Sequence, residues 1–205
     1  MNKNYIQNLI MNNKVILAPS DTVWGLCGAM NREVFDELNR LKVRNEKPYL
    51  ILAQSIEVIQ PFIEIPSNEL ILKTVSLFWP GPLTVIFKAS SEAPAYSVSK
   101  EGTIAFRIPR HDFLQEILKS IPLLFSTSAN ITGTPVASLW NDIDPLLISG
   151  VAATVVDDQN RVQSIVPSTI IDVSQGVIKL VREGAIRFEE IEKVFMELKK
   201  SEKNT

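Results

Sequence analysis

An apolar run from Val15 to Ala18 ends at Pro19, and Ser20, Asp21 and Thr22 follow at once. Small polar side chains at the end of a buried strand bring donors and acceptors together without bulk, which suits them to holding a polar ligand. The same pattern recurs where "LLF" runs into Ser126, Thr127, Ser128 and Asn130, with Gly133 beyond, and where Ser168 and Thr169 follow Pro167. Cations are placed at the ends of elements as well. Lys42, Arg44 and Lys47 fall within six residues, a density suited to neutralising a polyphosphate, although a solvated charged loop has the same composition. Arg107 lies inside the apolar "TIAFRIP", where an unpaired guanidinium costs several kcal/mol. It must face a cleft or a carboxylate, so a ligand contact and a structural ion pair both remain open. Arg182 follows another apolar run in "LVREGAI".

Other chemistries are poorly served. The chain has one cysteine, Cys27, and one histidine, His111. An internal disulfide is therefore impossible and a zinc site has little to draw on. A nucleophilic triad would need His111, which opens a helix directly after a strand and reads as a cap or surface residue. Neither the G-x-x-x-x-G-K-[ST] loop nor the G-x-G-x-x-G fingerprint occurs, so a nucleotide must be held by other means. With 21 Lys and Arg against 23 Asp and Glu, the net charge of -2 gives no bulk drive towards nucleic acid. The N-terminal "MNKNYIQNLIMNNK" is too interrupted for a signal peptide, and no run approaches the roughly 18 apolar residues of a membrane span. The expected location is the cytoplasm, with no membrane association.

The elements that must position these groups alternate. Helical spacing marks residues 3–12, 31–41 with Asn31 as its start, 66–78, 111–120 and 188–200. Strand character marks 14–18, 48–53, "LTVIFKA" after Pro80-Gly81-Pro82, 102–109, 122–129, "AATVVD", "STIIDV" and "VIKLVR". At 205 residues and 45% hydrophobic content, this is one α/β domain with a twisted, mostly mixed sheet flanked by helices. The last helix carries Ile191, Val194, Phe195 and Leu198 on one stripe, fit to cover the domain's own core or to dock a partner. The final residues should fray.

"APSDTVWGLCG", "LKVRNEKPYLIL", "FWPGPLTVIF", "TIAFRIPRHD", "LLFSTSANITG" and "VPSTIIDV…LVREGAIR" occur in the order of the YrdC/Sua5 family. The chain resembles the family's short, stand-alone branch, the threonylcarbamoyl-AMP synthases, over about residues 5–187. The resemblance implies a YrdC-like catalytic domain over 1–187 around a positively lined cleft, followed by a C-terminal helix and tail over 188–205. It implies the synthesis of L-threonylcarbamoyl-adenylate and pyrophosphate from L-threonine, bicarbonate and ATP, for the t6A37 modification of tRNA. Non-synthase members of the same family, an RNA-binding module or a carbamoyl-adenylate enzyme of hydrogenase maturation, are the alternatives.

By the same resemblance Thr22, Arg107, Ser126 and Ser168 match threonine-binding positions. Arg44, Lys47, Thr103, Ser128 and Arg182 match ATP-contacting ones, with Lys42 and Asn130 as supports. It supplies no nucleophile, no catalytic base and no protein metal ligand; Mg²⁺ is expected on the triphosphate. Weak contact with tRNA and a downstream t6A transferase complex complete the implied partners. Only Asn45 and Glu46 separate Arg44 from Lys47, one residue fewer than is usual in the family.

Overall fold

A computed structural model describes residues 3–44, 47–66, 68–137, 139–155 and 166–203. The first half contains α1 (Lys3–Met11), β1 (Ile16–Ala18), β2 (Gly25–Ala29), α2 (Arg32–Lys42), β3 (Leu50–Ala53), α3 (Ile56–Ile59), α4 (Glu69–Ser76) and β4 (Leu83–Lys88). The second half contains β5 (Thr103–Arg107), α5 (Asp112–Leu118), β6 (Leu123–Ser128), α6 (Pro145–Gly150), β7 (Ala153–Thr154), β8 (Thr169–Asp172), β9 (Lys179–Arg182) and α7 (Phe188–Lys203). Among the described residues nine strands form one sheet in the order β7-β1-β2-β6-β3-β5-β4-β8-β9. The pairs β1–β7, β3–β5 and β4–β8 are parallel and the others antiparallel, which makes the sheet mixed.

Successive strand residues point to opposite faces, and this alternation divides the apolar residues between two cores. Leu17, Ile51, Ala53 and Phe125 join one core with Val34, Phe35, Leu38 and Leu41 of α2, Ile71 and Val75 of α4, Leu147 of α6 and Ile191 of α7. Ile16, Ala18, Cys27, Leu52 and Leu124 join the other with Ile6 and Ile10 of α1 and Leu114, Ile117 and Leu118 of α5. Among the described residues the second core takes in nothing from β4, β5 or β8. Helices α1 and α5 therefore leave that part of the sheet uncovered on this face. Leu52 stands opposite Arg107 in the β3–β5 register, so Arg107 points to the same open face.

Local signals explain most boundaries. The Asn31 side chain accepts the Val34 N–H at 3.0 Å and caps α2, as its place in the sequence predicts. At the other end Val43 takes a left-handed conformation (φ 48°, ψ 52°), and the Arg44 N–H reaches back to the Asn39 carbonyl at 3.0 Å. Strand β2 has no clear sequence signal because Gly25 and Gly28 weaken it. The tertiary reason for Gly28 is contact: a Cβ there would lie 2.7 Å from Cγ1 of Val34, so glycine lets α2 pack close to the sheet.

The helix expected over 66–78 is shorter, starting after the cap Asn68, and α3 precedes it where no element is predicted. His111 departs from expectation too: it takes the N-cap position of α5 but makes no capping bond with its side chain, and it is buried rather than at the surface. Helix α7 lies against α4, buries Ile191 and links Lys73 to Glu202 at 2.8 Å. It thus covers the domain's own core. Of "AATVVD" only Ala153 and Thr154 form a strand, and Val156 and Asp157 lie outside the described residues.

Candidate active site

The open part of the sheet face holds a cleft of about 460 Å³. Thr22, Arg107, Ser126 and Ser168 line it, as do Arg44, Ser128 and Arg182. These seven expected site residues come from segments spread between residues 22 and 182 and meet only in the folded sheet.

The turn after β1 is built by its own hydroxyls. Ser20 Oγ donates to the Val23 carbonyl at 2.8 Å and accepts the Thr22 N–H at 3.2 Å. This side-chain turn presents Thr22 Oγ1 to Arg107, whose Nη1 donates to it at 2.9 Å. Nε of Arg107 donates to the Gly81 carbonyl at 3.2 Å, and Nη2 to Asp21 Oδ1. The other oxygen of Asp21 accepts the Arg110 N–H at 3.0 Å. Both side chains of the pair are only 4% exposed. Burial pulls the pKa of the guanidinium down, and the Asp21 charge opposes that pull. Arg107 thus satisfies both of its sequence-level alternatives at once: it lines the cleft and it is ion-paired.

Ser126 stands opposite Cys27 in the β2–β6 register, and the Cys27 thiol lies 3.6 Å from its Oγ. Burial pushes that thiol up to about 11. It is therefore protonated near neutral pH and a poor nucleophile. Ser168 Oγ lies 2.8 Å from Thr84 Oγ1, while its carbonyl accepts from Nη2 of Arg182 at 2.7 Å. Gly184 packs directly on this segment, for a Cβ there would lie 2.2 Å from the Pro167 carbonyl oxygen.

Four expected residues do not line this cleft. Lys42 is buried and donates from Nζ to the Ser128 carbonyl at 2.7 Å, to Oδ1 of Asn130 at 3.1 Å and to the Asn130 carbonyl. Burial, and then the nearby Arg44 charge, pushes this ammonium down to about 8. Asn130 in turn donates to the Thr134 carbonyl at 2.7 Å and accepts from Ser128 Oγ at 2.5 Å. Lys42 and Asn130 are braces for the turn that carries Ser128. Lys47 is exposed and lines a neighbouring hollow of about 880 Å³, which shares Arg44 and Pro48 with the cleft. The Thr103 hydroxyl lies 2.8 Å from that of Ser99, another wall residue of that hollow.

Arg44 joins the two spaces. Its guanidinium carbon sits 4.8 Å from the ring centroid of Tyr49, and Nη2 donates to the Pro48 carbonyl at 3.3 Å. Tyr49 is fixed by its hydroxyl, which donates to Asn39 Oδ1 at 2.8 Å, and burial pushes that phenol up to about 12. Asn45 and Glu46 lie outside the described residues. Among the partners with no site role in the sequence reading are Thr84, Tyr49 and Gly81. Asp21 is visible there beside Thr22, but its pairing with a residue 86 positions away is not.

A family described as telomere recombination, the Sua5/YciO/YrdC family, matches residues 8–184. The chain belongs to it. A relative from Xylella fastidiosa, named threonylcarbamoyl-AMP synthase, is 29% identical over 168 residues, covering 80% of this chain and 89% of that one. The structure of Pyrococcus abyssi Sua5 complexed with L-threonine superimposes with a TM-score of 0.82 at 28% identity. That match covers 94% of this chain but only 56% of the Pyrococcus chain, which is much longer. Escherichia coli YciO shares the fold, with a TM-score of 0.80 at 20% identity over 92% of each chain. Among the described residues no helix is long and apolar enough to cross a membrane. Nor do three His, Cys, Asp or Glu side chains there gather as a metal ion would require.

Proposed function

We propose that this member of the Sua5/YciO/YrdC family is a threonylcarbamoyl-AMP synthase, an ATP-using nucleotidyltransferase acting in tRNA modification. The observation that carries the reading is the convergence of Thr22, Arg107, Ser126 and Ser168 with Arg44, Ser128 and Arg182 around one cleft. Hydroxyls and guanidiniums bind carboxylates and phosphates, and that donor set fits an amino acid beside a nucleotide. The names of the relatives support the same reading.

In this reading the amine of L-threonine combines with carbon dioxide from bicarbonate to give a carbamate. A carbamate oxygen attacks the α-phosphorus of ATP, the bond from that phosphorus to the bridging oxygen breaks, and pyrophosphate leaves with its electron pair. The protein holds the reactants in line and offsets the charge, which is most of what phosphoryl-type transfer asks of it. No side-chain nucleophile is needed, in keeping with the thiol of Cys27 staying protonated. Arg107 and Thr22 hold the threonine carboxylate and hydroxyl, with Ser126 and Ser168 beside them. Arg44, Ser128, Arg182, Lys47 and Thr103 hold the nucleotide, while Lys42 and Asn130 brace the Ser128 turn.

Among the described residues the cleft is lined by hydroxyls, guanidiniums, the Cys27 thiol and apolar groups, without a carboxylate. Asp21, the carboxylate behind it, is committed to Arg107. That set fits Mg²⁺ carried on triphosphate oxygens, where it would screen phosphate charge, rather than held in a protein cage. The product goes to a t6A transferase complex in the cytoplasm, with at most weak contact between this chain and tRNA.

The test is pyrophosphate release from ATP by the purified protein, with L-serine as control. Release that needs both L-threonine and bicarbonate is the expected result. ATP binding without such release would move the chain to a non-synthase role in the same family.

A further inference from the structure

The Asp21–Arg107 pair spans an unusual distance in the sheet. Asp21 belongs to the turn between β1 and β2, whereas Arg107 ends β5, and strands β6 and β3 lie between those two places in the sheet order. The carboxylate makes two bonds there, one oxygen to the guanidinium and the other to the Arg110 N–H. It therefore fixes the β1–β2 turn both to the arginine side chain and to the backbone that leaves β5.

Arg107 has five N–H donors. Nε uses its one on Gly81, Nη1 uses one on Thr22, and Nη2 uses one on Asp21. Among the described residues, one N–H on each terminal nitrogen is left over. A pair of donors on the two terminal nitrogens is what a carboxylate takes end-on. We propose that Asp21 is a positioning residue: it locks the Arg107 guanidinium so that its two remaining N–H groups form a fork for the substrate carboxylate. Asp21 does not itself line the cleft. By neutralising the guanidinium it also makes recognition depend on the direction of the fork more than on bulk attraction, which a buried lone cation would extend to any anion.

The proposal rests on the reading of Arg107 as the contact for the threonine carboxylate, and its test separates the two. Asp21→Asn keeps the shape but turns one oxygen into an NH₂ group. That group must face either Nη2 of Arg107 or the Arg110 N–H, donor against donor, so one of the two bonds is lost. The expected result is a KM for threonine at least about tenfold higher, with the KM for ATP and the binding of ATP unchanged within about twofold. A merely structural role would lower the melting temperature and the active fraction and leave both KM values alone.

A second measurement needs no substrate. In the NMR spectrum of the unliganded protein, a locked guanidinium gives separate, slowly exchanging Nη–H signals for Arg107, assigned by their loss in Arg107→Lys. Asp21→Asn should average them. Averaged signals already present in the unsubstituted protein, or an unmoved threonine KM in a folded Asp21→Asn protein, would overturn the proposal. Locked signals in a protein without threonine-dependent turnover would uphold Asp21 and sink only the substrate assignment.

Discussion

Arg107 and Arg44 line the same cleft, yet they are held by different means. The first is almost fully buried and bonded on three sides, to a carboxylate, a hydroxyl and a carbonyl. The second is half-buried, rests its face on Tyr49 and makes one longer bond to a carbonyl. Lys47, beyond it, is exposed. The region around Arg107 is prebuilt, so its geometry exists before any ligand arrives and little ordering remains to be done on binding. Around Arg44 the cations are free to follow a phosphate chain. A small, rigid amino acid and a long, flexible triphosphate would call for that division.

The largest effects should come from breaking the prebuilt side. Arg107→Ala strands the buried Asp21 carboxylate, so stability should fall by about 3–5 kcal/mol, and threonine-dependent pyrophosphate release by at least about a hundredfold. Denaturant melts and initial rates check both parts, and near-normal rates in a folded variant would remove Arg107 from the site. Gly184→Ala is the next test. Its Cβ would sit 2.2 Å from the Pro167 carbonyl oxygen and 2.6 Å from the Ser168 carbonyl. A loss of about 1–3 kcal/mol is expected from such overpacking, with weaker threonine binding as the Ser168 segment shifts. Calorimetric titration with threonine would show whether the two losses go together.

Lys42 sharpens the comparison through pH. Its folded pKa of about 8 lies below the ordinary lysine value of 10.5. The unfolded chain therefore binds more protons between those two values, and this group makes the fold more stable as pH rises from 8 towards 10.5. Its stabilising contribution is complete above the unfolded pKa and is lost as pH falls through the folded one. Over the same rise the brace on Ser128 loses its charge, so ATP affinity should fall while stability climbs. Comparison with Lys42→Met across that range isolates the effect; parallel curves for the two proteins would refute it.

Two smaller effects belong to the cation-rich loop. Lys47→Ala should raise the KM for ATP several-fold and leave the threonine KM unchanged, as expected for an exposed phosphate contact. The reverse pattern would exchange the two halves of the assignment. Val43→Gly should stabilise the protein by about 1 kcal/mol, because a β-branched residue now occupies a left-handed position at φ 48°. A melt at neutral pH decides this, with no change expected in turnover.

Much of the fold was legible because burial leaves a periodic trace. Helix α2, with Asn31 at its start and Val34, Leu38 and Leu41 at helical spacing, needed nothing beyond the chain itself. Strand β2 was hidden, since its glycines answer to neighbours such as Val34 that are remote from any local pattern. His111 differs for a related reason: its type and place suggest a cap or a surface residue, and it does stand at the N-cap, but packing buries it. Within the site, the hydroxyl clusters at strand ends were visible as residue types. Whether a cation among them faces the cleft was not. Lys42 and Arg44 are two residues apart, yet one braces a turn from inside while the other lines the cavity, because the left-handed Val43 turns the chain between them.

An alternating α/β domain, the scarcity of nucleophiles and the supply of hydroxyls and cations can all be read from the chain alone, since these follow from composition and from the periodicity of burial. Which of those groups act together depends on strand order and packing. Strand order put β6 and β3 between β2 and β5 and left the β5, β4 and β8 part of one face free of α1 and α5, and there Asp21 met Arg107. Pairing across 86 residues depends on that order, and a local pattern cannot carry it, because each side chain reports its own burial and not the identity of its partner.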